Sequence, residues 1–185
     1  VHEVVGGFEQ PSVIAAGAEV IRRFGELNIQ LAQRTHPLAG RETLFVGQVH
    51  AGEIHNQAPT ELRLDGTRRW LPGTSVEDVR TQYAEILADV AERNRVSVKG
   101  DFQLCSDAYE IGTDEPLVEV FQSAYETVTG QQLEFGAKPF VDDGSRFVLQ
   151  GGIPAVTHGP RAKGAHTLDE EAPIKELLRV ALVYA

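Results

Sequence analysis

The sequence lacks methionine altogether and has a single cysteine, Cys105, among its 185 residues. One cysteine excludes an intrachain disulfide framework and a cysteine-based zinc site. We expect Cys105 to be a small apolar residue on a strand, as free cysteines commonly are, and the reducing compartment that this suits is the cytoplasm. Because the chain begins with Val1 and contains no methionine, we expect its amino terminus to have been cut away or processed.

Long apolar runs and an excess of positive charge are also missing. No stretch approaches the roughly 18 consecutive apolar residues of a membrane span, and no signal peptide is visible. The 27 acidic residues outnumber the 17 lysines and arginines, which leaves a formal net charge of −10. An acidic surface disfavours nucleic acid and anionic membranes as partners. The 42% of apolar residues suffices for the core of one medium domain or two small ones.

The first part of the chain has the periodicity of a helix, two strands, a second helix and a third strand. These elements are predicted over 12–33, Thr43–Ala51, 60–70, 75–95 and 96–105, with Ser12 and Ser75 as helix caps. One further strand before the first helix would complete a ferredoxin-like layer, in which two helices cover a four-stranded sheet. The order therefore predicts a ferredoxin-like domain whose first strand is missing.

The later part of the chain alternates helix and strand, which is typical of a piece of an α/β domain. Helices are predicted over Pro116–Thr129, 145–150 and Ile174–Tyr184, a strand over 153–158, and short extended pieces at 133–135 and 140–141. The composition changes near 106–109. We therefore predict an α+β / α/β chain with one domain over 1–107 and a second over 108–185.

Among the six histidines, His166 has the best setting for chemistry. It follows a predicted strand and a Gly-Pro break, and loops at strand ends are where α/β folds bind ligands. The carboxylates of Asp169 and Glu170 could orient its ring. One histidine cannot hold a zinc ion by itself, because zinc needs three or four ligands.

Two other groups of polar residues leave alternatives open. Asp143 and Ser145 flank a glycine at a turn, where they cap a helix or help to bind a carboxylate, since helix amides do both. Asn56 and Arg69 are a turn residue and a solvated strand residue, or a substrate-binding pair, because arginine recognises carboxylates with two donors. We interpret Arg63, Arg68 and Arg69 as forming a solvated face in part.

Two runs of motifs resemble one known family, the zinc-dependent amidohydrolases that include aminoacylase, acetylornithine deacetylase, succinyl-diaminopimelate desuccinylase and carboxypeptidase G. The first run resembles the family's lid, or dimerisation, domain: Val46-Gly47, Gly52, Asn56-x-x-Pro59, Gly66-Thr-Arg-Arg69 and Pro72-Gly73. The second resembles the end of its catalytic domain: Asp143-Gly-Ser, Gly152-Ile-Pro-Ala-Val, Gly159-Pro160 and Ala165-His-Thr-x-Asp-Glu170. The resemblance covers nearly the whole chain.

The resemblance implies roles for particular residues of the lid. His2 is similar to the lid histidine that reaches into the partner subunit's active site and polarises the scissile carbonyl. Asn56 and Arg69 are similar to the pair that grips the substrate, with Arg69 on the substrate's carboxylate. The predicted fold is therefore a ferredoxin-like lid followed by the carboxy-terminal piece of an α/β zinc-hydrolase catalytic domain.

Roles are also implied in the second domain. His166 is similar to the family's last metal ligand, and Glu170 is similar to a support for its loop. The turn that lines the substrate pocket matches Asp143, Gly144 and Ser145. Arg161 stands where the family has a glycine, which changes the charge of the pocket.

The family's remaining metal ligands and its general base precede the lid and are absent from this sequence. The resemblance implies that the intact parent is a metal-dependent amidohydrolase or metallopeptidase, with deacetylases among its relatives, that uses two zinc ions or other divalent metals. It would act as a homodimer through the lid on an N-acyl amino acid or dipeptide-like substrate, and this chain alone would be inactive. The alternative is a non-catalytic dimerisation or ligand-binding ferredoxin-like module.

Overall fold

The computed structural model describes residues 2–6, 10–165 and 167–185 and has two compact units, Val1–Ala108 and Tyr109–Ala185. After a one-turn 3₁₀ helix, Glu3–Val5, the elements in chain order are α1 (Val13–Leu31), β1 (Thr35–His36), β2 (Gly40–Arg41), β3 (Thr43–Ala51), β4 (Leu62–Arg69), α2 (Val76–Asn94), α3 (Pro116–Thr129), α4 (Gly144–Leu149) and α5 (Ile174–Tyr184). This mixture of helices with small antiparallel sheets confirms the predicted fold class.

Helix α1 begins where its capping residue predicts. The Ser12 hydroxyl accepts a hydrogen bond from the Ala15 backbone N–H at 3.1 Å, which satisfies an amide that has no partner within the helix. Ala16, Val20 and Phe24 recur every four residues and are buried, so one stripe of the helix faces the core. The predicted helix is confirmed.

Strands β3 and β4 form an antiparallel hairpin in which Thr43 pairs with Arg69 and Ala51 with Leu62. The register shifts between Val46 and Gln48, so the hairpin contains a bulge at this point. Strand β3 has the predicted bounds, and β4 is shorter than predicted at both ends. Leu44, Val46 and Leu64 face the two helices of this unit and pack on its core.

Helix α2 also follows its cap, since the Ser75 hydroxyl accepts from the Asp78 backbone N–H at 3.1 Å. The helix ends at Asn94 and is followed by Arg95, which adopts a left-handed conformation with φ of 54°. Its Val90 joins Ala16, Val20 and Phe24 of α1 in one buried cluster. The core of the first unit therefore lies between the two helices and the inner face of the hairpin.

Close packing of the two strands of the hairpin leaves no room for a side chain at Gly66. A Cβ atom added there would overlap the backbone carbonyl oxygen of Phe45 on the facing strand, and the backbone cannot turn aside as a side chain can. We expect Gly66→Ala to lower the free energy of unfolding by about 1–3 kcal/mol, the usual range for overpacking, measured by urea denaturation. Gly25→Ala is the control, because a Cβ there meets nothing within 4 Å and alanine favours a helix by about 1 kcal/mol. Equal effects at both sites would contradict the steric explanation.

Segment 96–105 is not a strand, which corrects the sequence prediction. It makes no strand pairing with the described residues, although Val96 still packs against the core. The Phe102 ring lies 6.3 Å from the rings of both Trp70 and Tyr83. The alternation therefore reflects side-chain packing and not strand pairing. Cys105 is exposed on this segment, so its predicted place on a strand is also wrong.

The second unit contains α3, α4 and α5. Helix α3 begins with Pro116 and is followed by Gly130 at φ of 66°, as predicted from proline at the first turn and glycine past the last. Helices α3 and α5 pack together through Phe121 and Tyr184, whose ring centroids are 5.5 Å apart. The predicted strand over 153–158 and extended pieces at 133–135 and 140–141 have no strand pairing among the described residues, so these predictions are wrong.

Candidate functional site

The structure brings His2 and Asn56 together at one end of the hairpin. His2 Nε2 lies 3.2 Å from Asn56 Nδ2. The backbone reinforces this contact, since Glu3 N–H donates to the Asn56 carbonyl at 3.1 Å and His2 forms a bridge with Gln57. The connection between β3 and β4 therefore holds the 3₁₀ helix and its histidine in place.

The ring of His2 has a backbone neighbour as well. Its Nδ1 accepts from the Val4 backbone N–H at 3.4 Å. The Asn56 Nδ2 group is a donor as well, so both of these neighbours direct N–H groups at ring nitrogens of His2. His2 is exposed, so its ring is accessible to a ligand.

Arg69 lies at the opposite end of the same hairpin. It pairs with Thr43, whereas Asn56 lies in the connection that follows Ala51. Leu62 and Arg69 are the ends of β4 and are separated by roughly 23 Å at about 3.3 Å per residue. The structure therefore does not bring Arg69 to the His2–Asn56 pair of its own chain.

Helix α1 gives a second, independent measure of this separation. A Cβ atom at Gly17 would meet the side chain of Leu62, and the Asn28 side chain accepts from the Leu44 backbone N–H at 2.9 Å. The helix thus runs along the hairpin from the Asn56 end to the Arg69 end. Gly17 and Asn28 are roughly 16 Å apart along the helix axis at about 1.5 Å per residue, which agrees with a long separation.

The turn at 142–145 is organised by Asp142 and not by the residues that we expected to cap the helix. Asp142 Oδ1 accepts from the Gly144 backbone N–H at 3.0 Å and Oδ2 accepts from the Thr157 hydroxyl at 2.7 Å. Asp143 occupies the N-cap position without a side-chain hydrogen bond. Ser145 is buried, and its hydroxyl donates to the Asp142 carbonyl at 3.0 Å. Asp143 therefore holds the predicted cap position, but its side chain does not make the predicted capping hydrogen bond.

Gly144 in this turn has a close neighbour. A Cβ atom there would overlap the hydroxyl of Tyr109. Asp143, Gly144 and Ser145 thus lie together at the start of α4, with a phenol against the glycine. Sequence periodicity did not single out Tyr109.

His166 lies outside the described residues. The backbone around it is closed by two hydrogen bonds between Lys163 and Glu171, at 2.9 and 3.1 Å, and Thr167 N–H donates to the Gly164 carbonyl at 2.9 Å. Glu170 is exposed on this loop. The ends of the loop are therefore joined to each other.

The described residues do not form a metal centre by themselves. Among residues 2–6, 10–165 and 167–185, no group of three or more histidine, cysteine, aspartate or glutamate side chains could hold a metal ion. Zinc requires three or four protein ligands. Over the same residues, no helix has the length and apolar character needed to span a bilayer.

A buried ion pair was missed in the sequence. Glu42 is 1% exposed and pairs with Arg68, whose side chain is 7% exposed; Thr74 Oγ1 donates to Glu42 at 2.7 Å. Burial raises the pKa of the Glu42 carboxyl, but the hydrogen bonds from Thr74 and Arg68 and the charges of Arg68 and Arg34 outweigh it and leave the pKa lowered.

The pattern of alternation could have revealed this pair. Arg68 has the same parity as the core-facing Leu64 on β4, and Glu42 has the same parity as Leu44 and Val46 on β3. Side chains two residues apart lie on one face of a sheet. The interpretation of Arg68 as part of a solvated face is therefore wrong.

The first unit packs two helices on one face of a hairpin, with a histidine and an asparagine at the end of that hairpin. Residues 6–95 match a family described as the peptidase dimerisation domain, M20_dimer. This match, with the peptidase structures described next, confirms the family resemblance recognised from the sequence.

Two solved peptidase structures have the same fold as the whole chain. One is the aminopeptidase PepT from Bacillus cereus ATCC 10987, with a TM-score of 0.78 and 19% identity. The other is a tripeptidase from Staphylococcus aureus subsp. aureus Mu50, with a TM-score of 0.79 and 23% identity. Each similarity covers 100% of this chain and 46% of the other, so the chain spans about half the length of these proteins.

Proposed function

We propose that this chain is part of a metal-dependent amidohydrolase or peptidase that hydrolyses an amide bond of an N-acyl amino acid or small peptide-like substrate. Residues 1–107 would be its lid and 108–185 the carboxy-terminal segment of its catalytic domain, in a cytoplasmic enzyme. The observation that carries the proposal is the match of 6–95 to the peptidase dimerisation domain. The contact between Asn56 of this segment and His2, which precedes it, supports the proposal.

The separation of Arg69 from Asn56 indicates which copies of the chain would bind one substrate molecule. Roughly 23 Å of strand lies between the two ends of the hairpin, and an N-acyl amino acid is far shorter than this. A single chain therefore cannot place both side chains on one small substrate. We infer that the site uses Arg69 from one copy and the His2–Asn56 pair from a second copy.

A two-fold symmetry axis between two copies of the chain would bring Arg69 of one copy close to Asn56 of the other. When two identical hairpins lie antiparallel about such an axis, the Thr43 end of one lies beside the Ala51 end of the other. Arg69 of one copy then approaches Asn56 of the other, and the arrangement produces two equivalent sites. The homodimer through the lid is thus required by the substrate-binding role of these residues.

Each residue then has a physical task. Arg69 binds the substrate carboxylate with its paired donors, and Asn56 fixes the orientation of the substrate. His2 donates to the scissile carbonyl oxygen as negative charge develops there. Asp143, Gly144 and Ser145 line the pocket in the second unit.

A divalent metal, such as zinc, would activate the hydrolytic water in the intact enzyme. His166 is the ligand that we propose from this chain, with Glu170 as the support of its loop. Because the described residues hold no set of three ligands, we expect this chain alone to bind zinc weakly and to hydrolyse nothing. Calorimetric titration with zinc, followed by an assay on N-acetyl amino acids and dipeptides, tests this expectation; a tight stoichiometric site with turnover would refute it.

The shared site can be tested by cross-linking. In a Cys105→Ser background, which removes the exposed native thiol, Asn56→Cys and Arg69→Cys chains are mixed and treated with a short bifunctional maleimide. We expect cross-linked dimers in the mixture and few in either variant alone, because identical ends lie far apart in an antiparallel pair. The products are measured by denaturing electrophoresis.

A matched control uses a cysteine elsewhere on the surface. Thr127→Cys on the exposed side of α3, mixed with Arg69→Cys, should give little cross-linked product. A strictly monomeric chain in sedimentation equilibrium, or equal cross-linking in the homogeneous samples, would show that the two-copy site is wrong. Ligand binding by a monomer would instead favour a ferredoxin-like binding module.

A further inference from the structure

The ring of His158 is enclosed by aromatic side chains of the second unit. Its centroid lies 5.1 Å from that of Phe121 and 5.7 Å from that of Tyr125, both on α3. On α5, the ring of Tyr184 lies 6.1 Å away. The imidazole therefore occupies a largely apolar environment, in which a positive charge is poorly solvated.

One hydrogen bond determines the protonation state of this ring. Arg179 Nη1 lies 3.0 Å from His158 Nε2. A guanidinium can only donate, so Nε2 is the acceptor and the proton of the neutral ring is on Nδ1. Nδ1 is buried and makes no hydrogen bond with the described residues.

The same arginine holds the backbone next to His158. Arg179 Nη2 donates to the Gly159 carbonyl at 3.4 Å and to Glu176 Oε2 at 2.8 Å. Glu176 in turn accepts from the Arg161 backbone N–H at 3.2 Å. The segment 158–161 is thus attached to α5 through two charged side chains that also bind each other.

A third contact comes from the end of α5, where the Tyr184 hydroxyl donates to the His158 carbonyl at 3.1 Å. The segment therefore carries three backbone contacts from one helix and one contact through its own ring. The ring contact is the one that a change in pH can reverse.

The charged and titratable groups that face the ring are Arg179, Glu176 and Tyr184 of α5 and Tyr125 of α3. Burial first, and then the positive charge of Arg179, lower the pKa of His158, while Glu176 opposes them. Arg179 remains charged throughout, because a guanidinium does not lose its proton in proteins and Glu176 raises its pKa further. The ring is therefore neutral at neutral pH.

We propose that His158 is a pH-sensitive latch: on protonation, its Nε2–H faces the N–H groups of Arg179, the hydrogen bond is replaced by repulsion, and residues 158–161 detach from α5. The step adds one proton to Nε2 and breaks one hydrogen bond. The detached segment leads directly into the loop that Lys163 and Glu171 close. This inference concerns the second unit alone and does not depend on the proposed function.

The direction of the pH effect on stability follows from the linkage between proton binding and folding. A histidine whose pKa is lowered by folding is neutral in the native state, and the unfolded chain binds its proton more readily. The contribution of His158 to stability is therefore complete above the ordinary histidine pKa of about 6.5. It is lost as the pH falls below that value toward the native pKa.

The experiment is an NMR titration of the 185-residue chain, labelled with ¹⁵N and ¹³C, from about pH 7.5 to about pH 5, the range over which a histidine changes charge. We expect the His158 ring to titrate below the ordinary histidine value. The amide of Arg161 should shift with the same midpoint, and its hydrogen-exchange protection factor should fall several-fold.

His158→Gln is the matched control, because its side-chain oxygen can accept from Arg179 and it does not titrate. In this variant the Arg161 amide should keep its protection across the same pH range. Different midpoints for the ring and the amide in the wild-type chain would overturn the latch. So would a fall in protection of equal size in the variant, and the wild-type titration decides the matter even if the variant folds poorly.

Discussion

Glu42→Gln is expected to lower the free energy of unfolding of the first unit by about 3–5 kcal/mol, the usual effect of breaking a buried ion pair. Glu42 is almost fully buried, and its partner Arg68 is nearly so. Glutamine keeps the size of the side chain but leaves the guanidinium without a counter-charge in the interior. Urea denaturation followed by the fluorescence of Trp70, the one tryptophan of the chain, measures the effect within this unit.

Two controls separate loss of the pair from loss of polarity. Asp65→Asn breaks the exposed Asp65–Arg63 pair and should change stability by about 1 kcal/mol or less. The double variant Glu42→Leu with Arg68→Leu should be more stable than Glu42→Gln, since apolar residues of similar size often replace a buried pair without loss. If Glu42→Gln resembles Asp65→Asn, the pair does not have the proposed role.

The same pair predicts a response to acid. The lowered pKa of Glu42 means that the unfolded chain binds this proton at a higher pH than the folded chain does. The contribution of Glu42 to stability is therefore present above the ordinary glutamate pKa of about 4.3 and is lost as the pH falls through the lowered native value. In Glu42→Gln this part of the acid sensitivity should be absent.

Phe24→Ala is expected to lower the free energy of unfolding of the first unit by about 3–5 kcal/mol, because it removes a buried ring and leaves a cavity. Phe24 is buried between α1 and α2, and its ring centroid lies 6.0 Å from that of Tyr83. Val90, which is fully buried, belongs to the same cluster. The fluorescence of Trp70 during urea denaturation again provides the measurement.

The same substitution on the outer face of the hairpin serves as the control. Phe45 is 63% exposed on β3, so Phe45→Ala should change stability by only about 0.5 kcal/mol, the usual limit for a surface site. Similar losses at the two positions would mean that the core is not where the structure places it.

The helices of this chain were predictable because their signals are local. Ser12 and Ser75 cap α1 and α2 with hydrogen bonds to residues three positions further on, and Gly130 ends α3 in a conformation that glycine favours. Such contacts involve neighbours along the chain. Residue type and spacing are therefore enough to locate them.

Strands were predicted less well, because alternation reports burial and does not report pairing. Segments 96–105 and 153–158 alternate, yet neither pairs among the described residues. Val96 and Phe102 are turned toward neighbouring side chains, which is enough to produce the pattern. A strand needs a second chain segment at hydrogen-bonding distance, and that segment is remote in sequence.

The sequence by itself determined the capped helices, the main hairpin and the family of the lid, since each rests on residues at short and regular spacing. Only the tertiary structure decided that His2 meets Asn56 and that Arg69 lies at the far end of the hairpin from them. The physical reason is chain distance: these relations are set by how elements pack and in which register strands pair, and no local pattern encodes either.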